Sequence, residues 1–206
     1  MDPFSPPDGF RLLPGLLDAA AQRRMAADIL ALLDDAPLYH ATMPKTGKAM
    51  SVAMSNAGRL GWYSDREQGY RYIERHPLTG RPWPAIPEAV LDVWRDVAGY
   101  DPAPECCLIN LYRDTAKMGL HQDRDEADFA APVVSISLGD EALFRLGGTT
   151  RRDPTRSFKL ASGDVLVLGG AARLAFHGID RVLPGTSRLV PGGGRINLTL
   201  RRVTRP

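Results

Sequence analysis

Three side chains that could bind one metal ion lie in two separate parts of the sequence. His121 and Asp123 stand two residues apart in LHQDRDE, and His177 lies much later, in RLAFHGI. Residues i and i+2 of an extended strand point to the same face, so this imidazole and this carboxylate would converge on one point. Two imidazoles and one carboxylate leave open positions on a metal, which is typical of non-haem iron(II) oxygenases, whereas structural zinc takes four protein ligands. The pattern favours an iron(II) site, although a histidine satisfied within the core stays the alternative for His177.

A second candidate site lies on the strand RINLTLRR. Its residues alternate, with three aliphatic side chains on one face and with Arg195, Asn197 and Arg201 on the other. Two guanidinium groups that point into a barrel could bind both carboxylates of a dicarboxylate by paired hydrogen bonds. Asn110 and Tyr112 share one face of CLINLY and could contact the same small acid. A half-exposed sheet gives the same alternation without any ligand, so both interpretations stay open.

The elements that must position these side chains differ between the two halves of the chain. Residues 16–34 and 88–100 carry apolar residues at helical spacing, and Pro87 marks the start of the second helix. Residues 40–76 read as loops and short hairpins, and from residue 105 onwards short β-rich runs are separated by glycine, proline and aspartate. Several short strands after helices predict an α+β fold, in which helices buttress one side of a barrel or jelly roll.

Length, composition and charge limit the class of protein. The chain has 206 residues, of which 44% are hydrophobic and 24% charged, and this suits one globular domain rather than a disordered chain. No apolar run approaches the roughly 18 residues of a membrane span, and no signal peptide is evident. Cys106 and Cys107 are adjacent, a poor arrangement for a disulfide, so we expect a cytoplasmic protein with no membrane partner.

The positive charge of the chain is concentrated in one segment. Residues 40–75 hold six basic and three acidic side chains, although the whole chain has a net charge of only +2. Such an excess is expected of a segment that faces a polyanion. Ordinary solvated surface gives small imbalances of this kind as well, so charge alone leaves both interpretations open.

Several motifs together resemble the AlkB family of DNA-repair dioxygenases. They occur in the family's order as MSVAMSNAGRLGW, RPWPAIP, NLYRDTAKMGLHQDRDE, APVVSISLG, GDVLVLGG, RLAFHGI and RINLTLRR. The resemblance covers roughly residues 50–202 and implies a double-stranded β-helix, with a single dioxygenase domain over residues 1–206. Within that domain we expect a nucleotide-recognition lid at about 40–76 and a jelly-roll catalytic core at about 105–203.

The resemblance also implies which residues bind iron and 2-oxoglutarate. Iron(II) would be bound by His121, Asp123 and His177. The residues around 2-oxoglutarate would be Arg195, Arg201, Asn110, Tyr112 and Asn197. Two positions depart from the family: Thr115 stands where a glycine is expected, which puts the local turn in doubt, and Leu111 replaces a basic residue, which would alter surface charge. Neither departure removes a ligand.

An enzyme that acts on a base in a duplex must flip the base out and stack it on an aromatic ring. By the resemblance, Trp62 would stack on the flipped base opposite His121. Asp125 would contact the exocyclic amine of adenine or cytosine and would serve catalysis by favouring the cationic methylated base. The other expected substrate contacts, which comprise an apolar wall, the pocket rim and two residues at the nucleic-acid backbone, are Met54, Arg151, Tyr70 and Tyr72. The alternative is that these aromatic residues belong to the core and that Arg151 is surface charge.

The activity that the resemblance implies is oxidative demethylation of bases such as 1-methyladenine and 3-methylcytosine. The reaction would require iron(II) and would consume 2-oxoglutarate and O₂. It would release succinate, carbon dioxide and formaldehyde. We expect a monomer that acts on alkylated DNA, single- or double-stranded, with RNA left open. Two alternatives remain: a dioxygenase that hydroxylates a small molecule or a protein side chain, and a non-enzymatic β-barrel that binds metal or nucleic acid.

Overall fold

The computed structural model describes residues 4–206. Within them, two α-helices are present, α1 at Ala19–Leu32 and α2 at Glu88–Val97. Pro87 precedes α2, and Gly99 beyond its end takes a φ of +60°, a conformation that glycine adopts without steric cost. Both predicted helices are confirmed, and each ends a few residues inside its predicted range. Neither is long and apolar enough to cross a bilayer, and the same holds for every helix in the described part of the chain.

Two antiparallel sheets and a separate hairpin make up the β structure. The strands are β1 Phe10–Leu13, β2 Ala53–Gly58, β3 Gly61–Asp65, β4 Gly69–Ile73, β5 Cys106–Tyr112, β6 Met118–His121, β7 Val133–Gly139, β8 Glu141–Leu146, β9 Arg156–Leu160, β10 Val165–Leu168, β11 His177–Leu183 and β12 Arg195–Arg201. The larger sheet has the order β1-β10-β7-β12-β5-β2, the smaller sheet has the order β6-β11-β8-β9, and β3 pairs with β4. The expected α+β jelly roll is thereby confirmed.

Strand β12 lies in the middle of the larger sheet, between β5 and β7. All seven of its residues are buried, so the interpretation of its alternation as a half-exposed surface is wrong. Ile196, Leu198 and Leu200 pack in one hydrophobic cluster with side chains of both helices. The arginines at the two ends of β12 lie on the opposite face, which lines a cavity between the sheets.

The segment 40–76 is only partly separate from the jelly roll. Strand β2 is paired with β5 along the edge of the larger sheet, whereas β3 and β4 form a hairpin of their own. The part that could act as a lid is therefore the hairpin at 61–73, which is joined to the sheet through β2. We call residues 61–73 the recognition hairpin, after the nucleotide-recognition lid that the sequence leads us to expect; that role stays a prediction.

One predicted strand is wrong in its first half. RLAFHGI does not begin as a strand, because a 3-10 helix covers Gly170–Leu174 and β11 starts only at His177. Long-range polar contacts account for this turn: the Gln122 side-chain amide donates to the Leu174 carbonyl at 2.6 Å, and the buried Arg173 donates to the Asp123 carbonyl at 2.6 Å. Neither contact could be read from the local pattern.

The two positions at which the sequence departs from the resembled family, Leu111 and Thr115, lie in β5 and in the turn that follows it. Leu111 is buried in the hydrophobic cluster beside the helices, so the expected change in surface charge is wrong. At the turn after β5, Asp114 takes a φ of +51° directly before Thr115. The left-handed residue is thus an aspartate, one of the few non-glycine residues that tolerate this conformation.

Candidate metal centre and substrate pocket

The two candidate histidines are brought together by strand pairing. Strands β6 and β11 are antiparallel neighbours, and His121 at the end of β6 lies opposite His177 at the start of β11. Their ring centroids are 4.5 Å apart. Asp123 is not in a strand, so the prediction that an i, i+2 strand geometry places it beside His121 is wrong. Its position depends instead on the loop that follows β6.

These three side chains converge on one point. The Asp123 carboxylate places Oδ1 3.7 Å from His121 Nε2 and Oδ2 3.7 Å from His177 Nε2. The three ligand atoms all lie within 4.8 Å of one another, and no other group of three such side chains is found among residues 4–206. The donor set of two imidazoles and one carboxylate fits an iron(II) ion with open positions.

Both imidazoles are oriented by the backbone. His121 Nδ1 lies 2.9 Å from the Gly119 carbonyl oxygen, and His177 Nδ1 lies 2.9 Å from the Ala175 carbonyl oxygen. A carbonyl only accepts, so each Nδ1 carries the proton and each Nε2 keeps a lone pair for a metal. Burial lowers the pKa of His177 to about 4, so this ring is neutral at pH 7, as a ligand must be.

The Asp123 carboxylate is held in its charged form with one oxygen free. Burial opposes ionisation, but the Arg201 guanidinium and the two histidines outweigh it, and the pKa of Asp123 lies well below its usual range. Arg201 Nη2 donates to Oδ1 at 2.7 Å. Oδ2 is buried and makes no hydrogen bond within the described residues. A buried charged oxygen without a donor is costly unless a cation faces it, so Oδ2 fits a metal ligand.

At the other end of β12, Arg195 offers a site for an anion. It is 1% exposed, and its Nε and Nη1 find no hydrogen-bond partner among the described residues. Burial lowers the pKa of Arg195 to about 10, which still leaves the group charged at pH 7. Tyr112 and Asn110 line the same cavity, and Asn110 Oδ1 is also unpartnered. A cavity with two unpartnered guanidinium donors, lined by an amide and a phenol, fits the far carboxylate of 2-oxoglutarate.

The two arginines of β12 differ in their partners. Arg195 has two donors without a partner, Nε and Nη1, and no carboxylate of the described residues is bound to it, whereas Arg201 is bound to Asp123 through Nη2 and its unpartnered Nε lies 3.5 Å from the Glu126 carboxylate. Asn197, between them on the same face, donates to Ser135 Oγ at 2.7 Å. The structure thus favours Arg195 as the residue that binds the cosubstrate directly. Arg201 is placed where it controls the metal ligand Asp123.

The recognition hairpin brings Trp62 to the loop that follows the metal ligands. The Trp62 indole N–H donates to Asp125 Oδ2 at 3.0 Å, and Asp125 lies two residues after Asp123. The Tyr70 ring is stacked against Trp62, with centroids 5.6 Å apart and planes at 24°, and it is 51% exposed. These three residues therefore form one aromatic and acidic surface, in which Tyr70 and Asp125 are exposed and Trp62 is half-buried.

Of the three other predicted substrate contacts, two point into the protein and one lies on its surface. Met54 is fully buried in β2, so it cannot form an accessible wall in this structure. The Tyr72 hydroxyl points inward to Glu126, a placement that does not suit the predicted contact with a nucleic-acid backbone. Arg151 is exposed and donates to the Leu120 carbonyl at 3.2 Å, next to His121 in the chain, and its predicted contact with the substrate stays a prediction.

Two charged residues of this region escaped prediction from the sequence. Glu126 and Arg173 are buried and bind each other at 3.0 Å, and Arg173 also donates to the Asp123 carbonyl. The sequence signals are slight: an acid in the DRDE run and an arginine in an otherwise apolar stretch. Both look like surface residues until the fold is known.

Comparison with known proteins relates most of the chain to one group of enzymes. The model of the 2OG-Fe(II) oxygenase superfamily matches residues 9–201. The alpha-ketoglutarate-dependent dioxygenase AlkB homolog of Caulobacter vibrioides strain NA1000 is 60% identical over 200 residues, covering 97% of this chain and 90% of that protein. The DNA N(6)-methyladenine demethylase ALKBH1D of Arabidopsis thaliana is 38% identical over 109 residues, covering 48% of this chain and 25% of that protein. The structure of OsALKBH1 superposes with a TM-score of 0.79 at 31% identity, covering 97% of this chain and 98% of that chain.

Removal of one metal ligand should prevent metal binding. In His177→Ala the remaining imidazole and carboxylate cannot complete the facial set, so we expect anaerobic titration with Fe(II) or Mn(II) to show no binding and turnover to fall below detection. His121→Ala should behave alike, with an unchanged circular dichroism spectrum. His40→Ala removes an exposed histidine outside the site and is the matched control. Near wild-type metal affinity in either ligand variant would exclude that residue from the metal centre.

Removal of the buried cation at Arg195 should weaken 2-oxoglutarate binding and leave metal binding intact. Loss of a buried charge partner typically costs about 2–5 kcal/mol, so the Kd for 2-oxoglutarate in Arg195→Met should rise at least about 30-fold. Calorimetric titration of the Mn(II)-loaded protein measures this change. Arg188→Met, at an exposed position, is the control. An unchanged Kd in Arg195→Met would show that the cosubstrate carboxylate binds elsewhere.

Proposed function

The chain belongs to the 2OG-Fe(II) oxygenase superfamily and, within it, to the AlkB-like dioxygenases, and we propose that it removes alkyl groups from the bases of nucleic acid by oxidation. It is an enzyme that uses iron(II), 2-oxoglutarate and O₂. The proposed substrates are bases alkylated on a ring nitrogen of the pairing edge, such as 1-methyladenine and 3-methylcytosine. The observation that carries this proposal is the contact between an aromatic stacking surface, Trp62, and the carboxylate of Asp125 beside the metal ligands.

The metal and cosubstrate would be held by residues already described. His121, Asp123 and His177 would bind iron(II), and Arg195 would bind the far carboxylate of 2-oxoglutarate, with Asn110, Tyr112 and Asn197 around it. When bound, iron(II) and 2-oxoglutarate supply an oxidant from O₂ that hydroxylates the alkyl carbon, with succinate and carbon dioxide as coproducts. A hydroxymethyl group on a ring nitrogen then leaves as formaldehyde. The protons on both Nδ1 atoms stay hydrogen-bonded to the Gly119 and Ala175 carbonyl oxygens, which keeps both Nε2 atoms available.

The recognition hairpin would hold the base. Trp62 and Tyr70 provide an aromatic surface for stacking, which every base can use because every base has a π-face. Asp125 would accept a hydrogen bond from the exocyclic amine and would attract a base made cationic by alkylation. To do so, Asp125 must release or share the Trp62 indole N–H. A neutral base offers less in exchange for that hydrogen bond than a cationic base does.

Exposed basic residues in the hairpin and next to it would contact phosphates. Lys45, Lys48 and Arg66 are all exposed, and the turns that carry them are adjacent, since a Cβ placed on Gly47 would lie 3.3 Å from the Arg66 side chain. These charges suit a polyanion rather than a small neutral substrate. The name of the Arabidopsis relative, a DNA demethylase, supports the same substrate class.

We propose further that the enzyme acts as a monomer in the cytoplasm. The fold of one chain brings together His121, Asp123, His177 and Arg195, so the proposed metal and cosubstrate sites need no residue from a second copy. Cys106 and Cys107 are both buried free thiols, which suits a reducing compartment. DNA is the proposed polymer, and RNA is a second candidate because stacking and phosphate contacts do not read the sugar.

The experiment that tests the proposed function is incubation with oligonucleotides that carry 1-methyladenine or 3-methylcytosine, with iron(II), 2-oxoglutarate and O₂. Repaired base and succinate are scored in the same reaction, with unmethylated oligonucleotides as the control. We expect both products to appear together on the methylated strand. Succinate that forms without repair of any methylated oligonucleotide would favour a dioxygenase of small molecules or protein side chains instead.

Replacement of Trp62 should separate base binding from cosubstrate oxidation. Loss of stacking costs about 1–3 kcal/mol per base, so Trp62→Ala should lower kcat/KM for methylated oligonucleotide about 5- to 150-fold. The slow decay of 2-oxoglutarate without substrate should fall far less, because the residues proposed to hold it lie on other strands. Trp62→Phe keeps an aromatic ring and should recover most of the loss. Equal suppression of both reactions in Trp62→Ala would make Trp62 a core residue.

Replacement of Asp125 should affect charged bases most. Asp125→Asn keeps the size of the side chain and removes its charge, so repair of 1-methyladenine and 3-methylcytosine, which are cationic at neutral pH, should slow more than repair of a neutral alkylated base. The ratio of the two kcat/KM values is the measurement. A uniform loss on cationic and neutral bases would contradict an electrostatic role for Asp125.

A further inference from the structure

A buried carboxylate with no place in the metal or cosubstrate site lies directly behind the metal ligands. Glu126 is 5% exposed, and both of its oxygens have partners. Oε1 accepts a hydrogen bond from the Tyr72 hydroxyl, and Oε2 accepts one from Arg173 Nη2 at 3.0 Å. Arg201 Nε lies 3.5 Å from Oε1. Because these contacts occupy the whole carboxylate, Glu126 acts through its neighbours and not by touching substrate.

Both arginines that contact Glu126 also hold the metal ligand Asp123. Arg201 Nη2 donates to the Asp123 carboxylate at 2.7 Å, and Arg173 Nη1 donates to the Asp123 backbone carbonyl at 2.6 Å. Glu126 is thus the shared counterion of the two groups that fix Asp123 at its side chain and at its backbone. Two acids and two guanidiniums form a buried quartet without net charge, and a buried quartet of this kind requires that balance.

The same carboxylate is bound to the recognition hairpin. Tyr72 lies directly opposite Trp62 in the pairing of β3 with β4. The Tyr72 hydroxyl binds Glu126 and lies 3.4 Å from Arg201 Nη1, while the Trp62 indole binds Asp125. Asp125 and Glu126 are consecutive residues of the loop that carries Asp123. They therefore bind two residues, Trp62 and Tyr72, that pair with each other across the hairpin. A shift of the hairpin must act on the loop that carries Asp123.

We propose that Glu126 is a positioning residue that couples the recognition hairpin to the metal ligand Asp123. It keeps Arg201 and Arg173 in place, so that the free Oδ2 of Asp123 faces the metal, and through Tyr72 it links this arrangement to the surface where the base would bind. The coupling to base binding rests on the proposed function. The positioning of Asp123 concerns metal binding alone.

The first arm of the test is metal binding without substrate. In Glu126→Gln both arginines lose their counterion, and the Asp123 carboxylate becomes the only anion for both. The affinity for Mn(II) or Fe(II) should therefore fall about 10- to 100-fold, as is typical when a partner of a metal ligand is removed. Anaerobic calorimetry measures this affinity. Tyr72→Phe keeps the quartet and should retain wild-type metal affinity. Thermal unfolding of each variant establishes that the protein titrated is folded.

Glu105→Gln is the matched control for burial. Glu105 is also a buried carboxylate, and it accepts hydrogen bonds from Thr204 and forms ion pairs with Arg59 and Arg202, away from the three metal ligands. This control should lower the melting temperature without changing metal affinity. The proposal is overturned if folded Glu126→Gln binds metal as tightly as the wild type, or if Glu105→Gln weakens metal binding equally.

The second arm tests the link to the hairpin with methylated oligonucleotide. In Tyr72→Phe we expect more succinate per repaired base than in the wild type, because base binding no longer acts on the Asp123 loop through Glu126. An unchanged ratio in Tyr72→Phe overturns the coupling. If the wild type repairs no methylated oligonucleotide, the proposed function fails and the coupling to a base fails with it, whereas the metal titration still decides whether Glu126 positions Asp123.

Discussion

Burial of two guanidinium groups on the central strand β12 is the constraint on which the site depends. A buried ion costs several kcal/mol unless an opposite charge faces it at close range. Arg201 meets this requirement within the chain, since Asp123 lies 2.7 Å away and Glu126 3.5 Å away. Arg195 does not, because its Nε and Nη1 are unpartnered among the described residues. Strand β12 thus contains Arg201, which binds the Asp123 carboxylate, and Arg195, whose free donors need an anion that enters the cavity.

The burial of β12 follows from how its two faces are covered. Its aliphatic face packs on α1 and α2, whereas its polar face looks across the cavity to the smaller sheet that carries both histidines. The helices are therefore part of the site's construction, although they contribute no ligand. They keep water from one face of the strand, so that the other face can hold charges in a region where electrostatic interactions are strong. The pairing of β6 with β11 then sets the imidazoles at the open end of the cavity.

The sequence predicted the fold and the polar face of β12 better than it predicted what places the candidate site residues. The jelly roll, both helices and the polar face of β12 were predicted from periodicity, because period 2 and period 3.6 are local properties of the chain. Asp123 was predicted as a ligand from a strand geometry that does not exist, since it lies in a loop fixed by Arg173 and Arg201. Glu126 and Arg173 could not be predicted, because a charged residue is buried only when a distant residue neutralises it, and no local pattern records that partner. Tyr72 and Met54 were assigned outward roles for the same reason: their neighbours Glu126 and Tyr39 are distant in the chain.

Under the proposed function, the contact between Trp62 and Asp125 would let the enzyme distinguish damaged from normal bases before any chemistry. Without substrate, the carboxylate already accepts the indole N–H at 3.0 Å. Hydrogen bonds to charged groups contribute about 1.5–3 kcal/mol, so an entering base must offer Asp125 at least as much. An ordinary adenine or cytosine donates one hydrogen bond from a neutral amine, which roughly replaces the hydrogen bond lost from the Trp62 indole. A base that is cationic after alkylation adds a direct charge interaction, which the neutral base lacks. Because the same loop carries Asp123, and because Glu126 joins that loop to the hairpin, this exchange takes place on a segment whose position also sets the metal ligand.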